Sequence, residues 1–137
     1  MSEEPALTRE QMFEPLLRAD PTFRAAWEAF LAQWEGAADL PHYVALGDLA
    51  RHLIAQLEHG ETNYFPAVFA VVERWHRDGE HYVREAATVG LLEGLQKTDL
   101  HKKTKPSDFE PWLGVETRRW WTKLERFWSH GEVMTED

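Results

Sequence analysis

Proline and glycine punctuate this chain at intervals that fit helices and little else. Asp20-Pro21 sets a helix N-cap before a proline at the first helical position, and Gly36 closes that stretch. Pro41 opens the next, which Gly60 ends; Thr62 or Asn63 is placed to cap another, with Pro66 in its first turn and Gly79 at its end. Between these marks apolar residues recur at helical spacing. The stripes read Phe23, Trp27, Phe30, Leu31, Trp34, then Leu46, Leu49, Leu53, Leu57, then Phe65, Val68, Phe69, Val72, Trp75. Upstream, Thr8 and Gln11 have capping-box spacing, Leu7 lies in the staple position, and Met12, Leu16 and Leu17 follow; Pro15 predicts a kink or a shortened helix.

The second half continues the pattern. From Glu80 to Lys97 the apolar set of Tyr82, Val83, Ala86, Val89, Leu91, Leu92 and Leu95 covers a wide arc, which predicts the most buried helix. Gly90 and Gly94 lie inside it and predict close helix packing rather than a phosphate loop. A polar loop runs from Thr98 to Pro106, a short turn from Ser107 to Trp112, and a last helix from Val115 to Ser129 with Trp120, Trp121, Leu124, Phe127 and Trp128 inward. Val68 to Val72 is the one strand-like run, but the 3.6 period passes through it and no turn dipeptide supplies a partner. The expectation is a single all-α domain, 1–137, of about six helices in antiparallel hairpins, with 1–7 and 131–137 flexible.

Composition bounds the function. With 137 residues there is room for one real core. Fifteen Lys and Arg against 24 Asp and Glu give a net charge of −9, the wrong sign for a direct nucleic-acid binder or a polybasic membrane-surface protein. The acid is uneven: residues 1–60 carry ten acids and four bases, or −6, residues 61–97 carry −2, and residues 98–137 carry −1. The last helix holds a basic ridge of Arg119, Lys123 and Arg126. Cysteine is absent, which removes disulfides, thiol catalysis and cysteine-based zinc sites. No apolar run approaches the ~20 residues of a membrane helix, and the acidic start has no apolar signal core, so the expected location is the cytoplasm.

Chemistry-bearing spacings are few. Glu73-x-x-His76 places a carboxylate and an imidazole on one helix face, as di-iron bundles do, and His81 with Glu85 on the next helix offers a second pair. A second Glu-x-x-His is missing, and a histidine near a helix C-terminus is the plainer account. His52 and His59 share a face near Glu58 and Glu61, though Gly60 interrupts the helix between them. No serine lies on a strand-turn-helix elbow. The sequence therefore predicts no catalytic residue, no metal ligand and no cofactor.

Seven tryptophans stand out in so short a chain. Trp27, Trp34, Trp75, Trp120 and Trp128 lie on apolar stripes and read as core. Adjacent positions on a helix differ by 100°, so one of Trp120 and Trp121 should be half exposed, and Trp112 in its short turn likewise. Half-exposed tryptophan beside charge is the composition of an interface anchor.

Several runs resemble a known group. They are Phe69-x-x-Val72-Glu73-Arg74, Gly79-Glu80-x-Tyr82-Val83, Gly90-Leu91-Leu92-Glu93-x-Leu95-Gln96, Trp112-Leu113-Gly114 and Trp120-Trp121, across residues 42–128. They are similar to a family of small all-helical, HEAT-like bacterial proteins akin to immunity proteins that neutralise polymorphic toxins. The resemblance implies a HEAT-like bundle and a role, with no catalytic motif to carry over. The expected partner is a cognate toxin domain, directed at nucleic acid or nucleotides and so carrying a basic cleft, which an acidic surface steers toward and blocks. The residues predicted to bind it are Glu61, Asn63, Tyr64, Asp78, Glu80, His81, Glu85, Glu93, Gln96, Trp112 and Trp121. Two rivals stand beside this reading. One is a helical scaffold or adaptor that oligomerises through its tryptophans; the other is a metal-dependent enzyme built on Glu73, His76, His81 and Glu85.

Overall fold

The computed structural model describes residues 6–131. Among them the fold is all-α, with seven α-helices and no strand. These are α1 (Phe13–Ala19), α2 (Arg24–Gln33), α3 (His42–Glu58), α4 (Phe65–Asp78), α5 (His81–Glu85), α6 (Glu93–Leu95) and α7 (Val115–His130). Helices α5 and α6 are the ends of one rod, joined through a π-helical stretch at Ala86–Leu92. Shorter 3-10 turns lie at Pro21–Phe23, Thr98–Leu100 and Pro106–Trp112. No helix among the described residues is long and apolar enough to cross a membrane.

Capping residues set the local structure, with two departures from the expected starts. The Asp20 side chain accepts from the Thr22 N–H at 3.0 Å, and Pro21 follows, as the sequence predicts. The Thr8-Gln11 spacing does close, with the Thr8 N–H donating to Gln11 Oε1 at 3.1 Å, but it closes a turn ahead of the helix. Helix α1 then begins only at Phe13, so Pro15 falls in the first turn, where its missing N–H costs nothing. Helix α4 is capped by neither Thr62 nor Asn63; Tyr64 holds the N-cap position without a side-chain bond. The residues expected to be flexible also divide. Leu7 is buried and its backbone pairs with Asp78 and Glu80 in a parallel bridge at Gly79, while 1–5 and 132–137 lie outside the described residues.

The rod from His81 to Leu95 is the centre of the packing, against α3, α4 and α7. Ala86, Ala87, Leu91, Leu92 and Leu95 are all fully buried. Val89 is the exception to the expected arc and faces outward. Helix α3 crosses the rod at its two glycines: a Cβ on Gly90 would sit 2.9 Å from Leu46 Cδ1, and one on Gly94 would sit 2.8 Å from Ala50 Cβ. That close approach is the reason glycine is tolerated inside a helix here. Helix α4 packs on α1 and α7 as well as on the rod, and its buried Trp75 donates its indole N–H to the Met12 carbonyl at 3.0 Å.

One tryptophan assignment reverses, that of Trp128, and Trp121 rather than Trp120 is the buried member of the adjacent pair. Helix α7 buries Thr117, Trp121 and Leu124, at i, i+4 and i+7. Trp121 is 1% exposed, whereas Trp128 is 56% exposed and packs edge-on against Phe127 at the surface. Trp120 lies half-buried beside the inward stripe, with Lys123 Nζ 4.5 Å from its ring centroid. Trp112 is half-buried as expected, edge-on to Phe65 at 4.9 Å.

Candidate functional site

The sequence-flagged chemical residues resolve into structural roles. Glu73 reaches across to the start of α7 and accepts from the Glu116 N–H at 3.0 Å, the Thr117 N–H at 2.9 Å and the Thr117 hydroxyl at 2.9 Å. It thus caps a helix 43 residues downstream. Gly114 makes room, since a Cβ there would fall 2.5 Å from the Glu73 carboxylate. Burial pushes the Glu73 carboxyl up, but the Thr117 and Glu116 hydrogen bonds outweigh it and hold its pKa below the ordinary value. His76 is 4% exposed. Its Nδ1 lies 3.0 Å from the Val72 carbonyl and its Nε2 lies 3.1 Å from Thr88 Oγ1. Those partners suit a neutral ring that donates from Nδ1 and accepts at Nε2. Burial depresses its pKa to about 4.

The two proposed metal sets do not assemble. His81 and Glu85 form an exposed pair at 3.1 Å, apart from half-buried Glu73 and buried His76. His59 bonds the Ala55 carbonyl at 2.7 Å, and Glu58 is taken up by the loop after α6. That carboxylate accepts from the Lys102 and Lys103 N–H groups at 2.9 Å, the Thr104 N–H at 3.0 Å and the Thr104 hydroxyl. The Thr104 hydroxyl and these backbone donors bring its pKa down to about 2. No cluster of three ligating side chains occurs among the described residues.

His52 instead belongs to a network that sequence reasoning missed. Asp20 is fully buried, and its Oδ2 lies 3.1 Å from His52 Nε2 and 3.2 Å from Gln56 Nε2. The Thr22 hydroxyl completes the set. This ties the start of α2 to α3. The N-cap signal at Asp20 was readable in the sequence, but its pairing with an i, i+4 step on another helix was not.

The predicted partner-binding residues fall into separate places. Glu61, Asn63 and Tyr64 are exposed where α4 begins, and Asp78, Glu80, His81 and Glu85 lie where it ends. Fourteen residues of helix separate the two groups, about 21 Å at 1.5 Å per residue. Glu93 and Gln96 lie near the far end of the rod, where Gln96 Nε2 donates to the Trp121 carbonyl at 3.0 Å. Tyr43 adds a member to the Glu85 group: its hydroxyl lies 3.5 Å from Glu85, and burial pushes its pKa up to about 12. Trp121, being buried, has no surface to offer a partner.

Two further surfaces bear on binding. The first is the outer face of α2. Phe30 is its only fully buried residue, and Leu31 is 37% exposed between half-buried Trp27 and Trp34 at i−4 and i+3. Glu28 and Glu35 flank Leu31 at i−3 and i+4, both exposed and without an ion-pair partner among the described residues. Trp27 stacks on Phe13 at 4.4 Å and on Phe30 at 5.3 Å, which fixes its ring. Beside it a cavity of about 290 Å³ opens between Arg9, Glu10, Asp39 and His42, with Arg9 3.8 Å from the Asp39 carboxylate. The second surface is an open groove of about 1070 Å³ between the N-terminal segment, α1, the end of α4 and α5. Arg18, Arg74, Arg77 and Arg84 line it, against Glu10, Glu14 and Asp78. The end of α4 thus brings Arg74, Arg77 and Arg84 together with the predicted partner-binding residue Asp78. The Arg74-x-x-Arg77 spacing was the available signal.

Residues 13–129 match a family described as a domain of unknown function, DUF7674. No curated protein and no solved structure matches the chain.

Proposed function

We propose that this chain, which belongs to the DUF7674 domain family, is a non-catalytic immunity protein that binds a cognate toxin domain stoichiometrically and blocks it by occlusion. The observation that carries the reading is the outer face of α2. A hydrophobic anchor (Trp27, Leu31, Trp34) lies within a rim of Glu28, Glu35 and Asp39, all on the half of the chain that holds −6. Such a face suits a basic cleft: the acids speed and orient encounter, and the fixed aromatics supply contact area at little entropic cost. The resemblance at residues 42–128 supports the same role, in the cytoplasm of the producing cell. Within this reading the helical hairpins are ordered as in HEAT-like proteins. Superposing the α3–α4 hairpin on that of α4 and the rod tests this, and unequal crossing angles would remove it. The main test is co-expression with toxin domains encoded beside the gene. Rescue of growth that Glu28→Lys with Glu35→Lys abolishes is expected; toxicity unchanged by the wild-type chain would end the proposal.

A second reading is a self-associating scaffold, favoured by the exposed Phe127 and Trp128 pair on α7. Light scattering separates the two: a dimer dispersed by Trp128→Ser supports the scaffold, and a monomer at all concentrations removes it.

A further inference from the structure

We propose that the groove at the junction of α1, α4 and α5 receives an acidic peptide segment of a partner protein, with Arg74 and Arg84 as its anchors. Two of the four arginines are already engaged, Arg18 with Glu14 at 3.4 Å and Arg77 with Asp78 at 3.7 Å. The Arg74 and Arg84 guanidiniums have no ion-pair partner among the described residues. Both are carried on rigid supports. Arg74 precedes the buried Trp75 and His76, and Arg84 follows the buried Val83. The wall between them is fixed too: Leu7 bonds Asp78 and Glu80 at 2.9 Å each, and Gly79 is held so close that a Cβ would lie 2.4 Å from the Trp75 carbonyl oxygen.

The lining chooses the ligand class. Guanidinium forks pair bidentately with carboxylates or phosphates. The open groove, at about 1070 Å³, lies just above the ~300–1,000 Å³ usual for small-molecule sites and holds far more than one phosphate. Four arginines against Glu10, Glu14 and Asp78 leave the lining at only +1. A dense polyanion would meet three carboxylates as well as the arginines, whereas an extended peptide can set single carboxylates against single arginines. The chain as a whole is at −9, so its long-range field opposes unspecific capture of acids, and binding has to arise locally. This inference does not depend on the partner being a toxin.

The probe is a fluorescein-labelled octapeptide with glutamate at every second position, titrated into the full chain by fluorescence anisotropy. Its all-glutamine counterpart, inorganic phosphate and a single-stranded oligonucleotide serve as comparisons. The acidic peptide is expected to bind best, and the Arg74→Gln, Arg84→Gln double variant to weaken it about tenfold, the sum of two exposed charge pairs. The charge-matched Arg51→Gln, Arg126→Gln variant should leave affinity unchanged. Equal weakening by both double variants, preference for phosphate or the oligonucleotide, or no binding of the acidic peptide would each overturn the proposal. Circular dichroism checks that every variant is folded, which the exposure of these side chains makes the expected result.

Discussion

Acidifying the protein should destabilise it through His76. The ring is neutral in the fold with its pKa near 4, because burial disfavours the imidazolium, whereas an unfolded histidine titrates near 6.5. Below 6.5 the unfolded chain takes a proton that the native chain refuses, so stability falls with pH through the window from 6.5 to about 4. At pH 5 the gap spans 1.5 units, which at 1.36 kcal/mol per unit is about 2 kcal/mol; below pH 4 the full gap amounts to about 3 kcal/mol. A chain this size has only ~5–15 kcal/mol to lose. Burial also lowers the pKa of His42, and its loss has the same sign. His76→Gln separates the two, since His42 is common to both proteins. Urea unfolding at pH 7.5 and pH 5.0 is the assay. The variant should start less stable but lose about 2 kcal/mol less than wild type between the two pH values. Equal losses, or an NMR titration placing His76 at 6.5 or above, would refute the argument.

Three further perturbations follow from the packing. Glu73→Gln keeps the shape of the α7 cap but removes its charge, and should cost about 1–2 kcal/mol near neutral pH; because the carboxyl pKa is lowered in the fold, that difference should shrink as pH falls below 4.5, as read by thermal melts. Gly94→Ala would normally stabilise a helix, but the new Cβ would lie 2.8 Å from Ala50 Cβ on α3. We expect a loss of about 1–3 kcal/mol by urea unfolding, against a gain of about 1 kcal/mol if the crossing were loose. Asp20→Ala removes an N-cap and leaves His52 and Gln56 with only the Thr22 hydroxyl, for a loss of about 1–3 kcal/mol with faster hydrogen exchange confined to the start of α2.

What was legible in the sequence was local. Asp20-Pro21, Pro66 and Gly79 marked helix ends because capping and backbone conformation involve neighbours within a turn. Gly90 and Gly94 announced a close approach, though not that Leu46 and Ala50 would fill it. Helix α7 misled because its inward stripe starts with Thr117, whose hydroxyl is satisfied by Glu73 from another helix. Choosing the stripe by hydrophobicity alone drew Trp128 inward. The π-helical stretch, which contacts α3, α4 and α7, has no mark in the apolar periodicity, which runs on through it. Glu73 and His76 do share a face, as their spacing requires, but their partners Thr88 and Thr117 lie on other elements. The binding surfaces were least legible: Leu31 sits on the apolar stripe by spacing and reads as inward, yet α2 buries only Phe30 and leaves Leu31 exposed between Glu28 and Glu35.

The proposal of stoichiometric partner binding is tested most directly by calorimetric titration of the purified chain into candidate toxin domains, taken from the genes that neighbour its own. The account predicts a one-to-one complex whose affinity falls more than tenfold with Leu31→Asp and with Glu28→Lys plus Glu35→Lys, as expected for an anchor and its steering charges. Absence of heat with the wild-type chain, or full affinity in both variants, would contradict it.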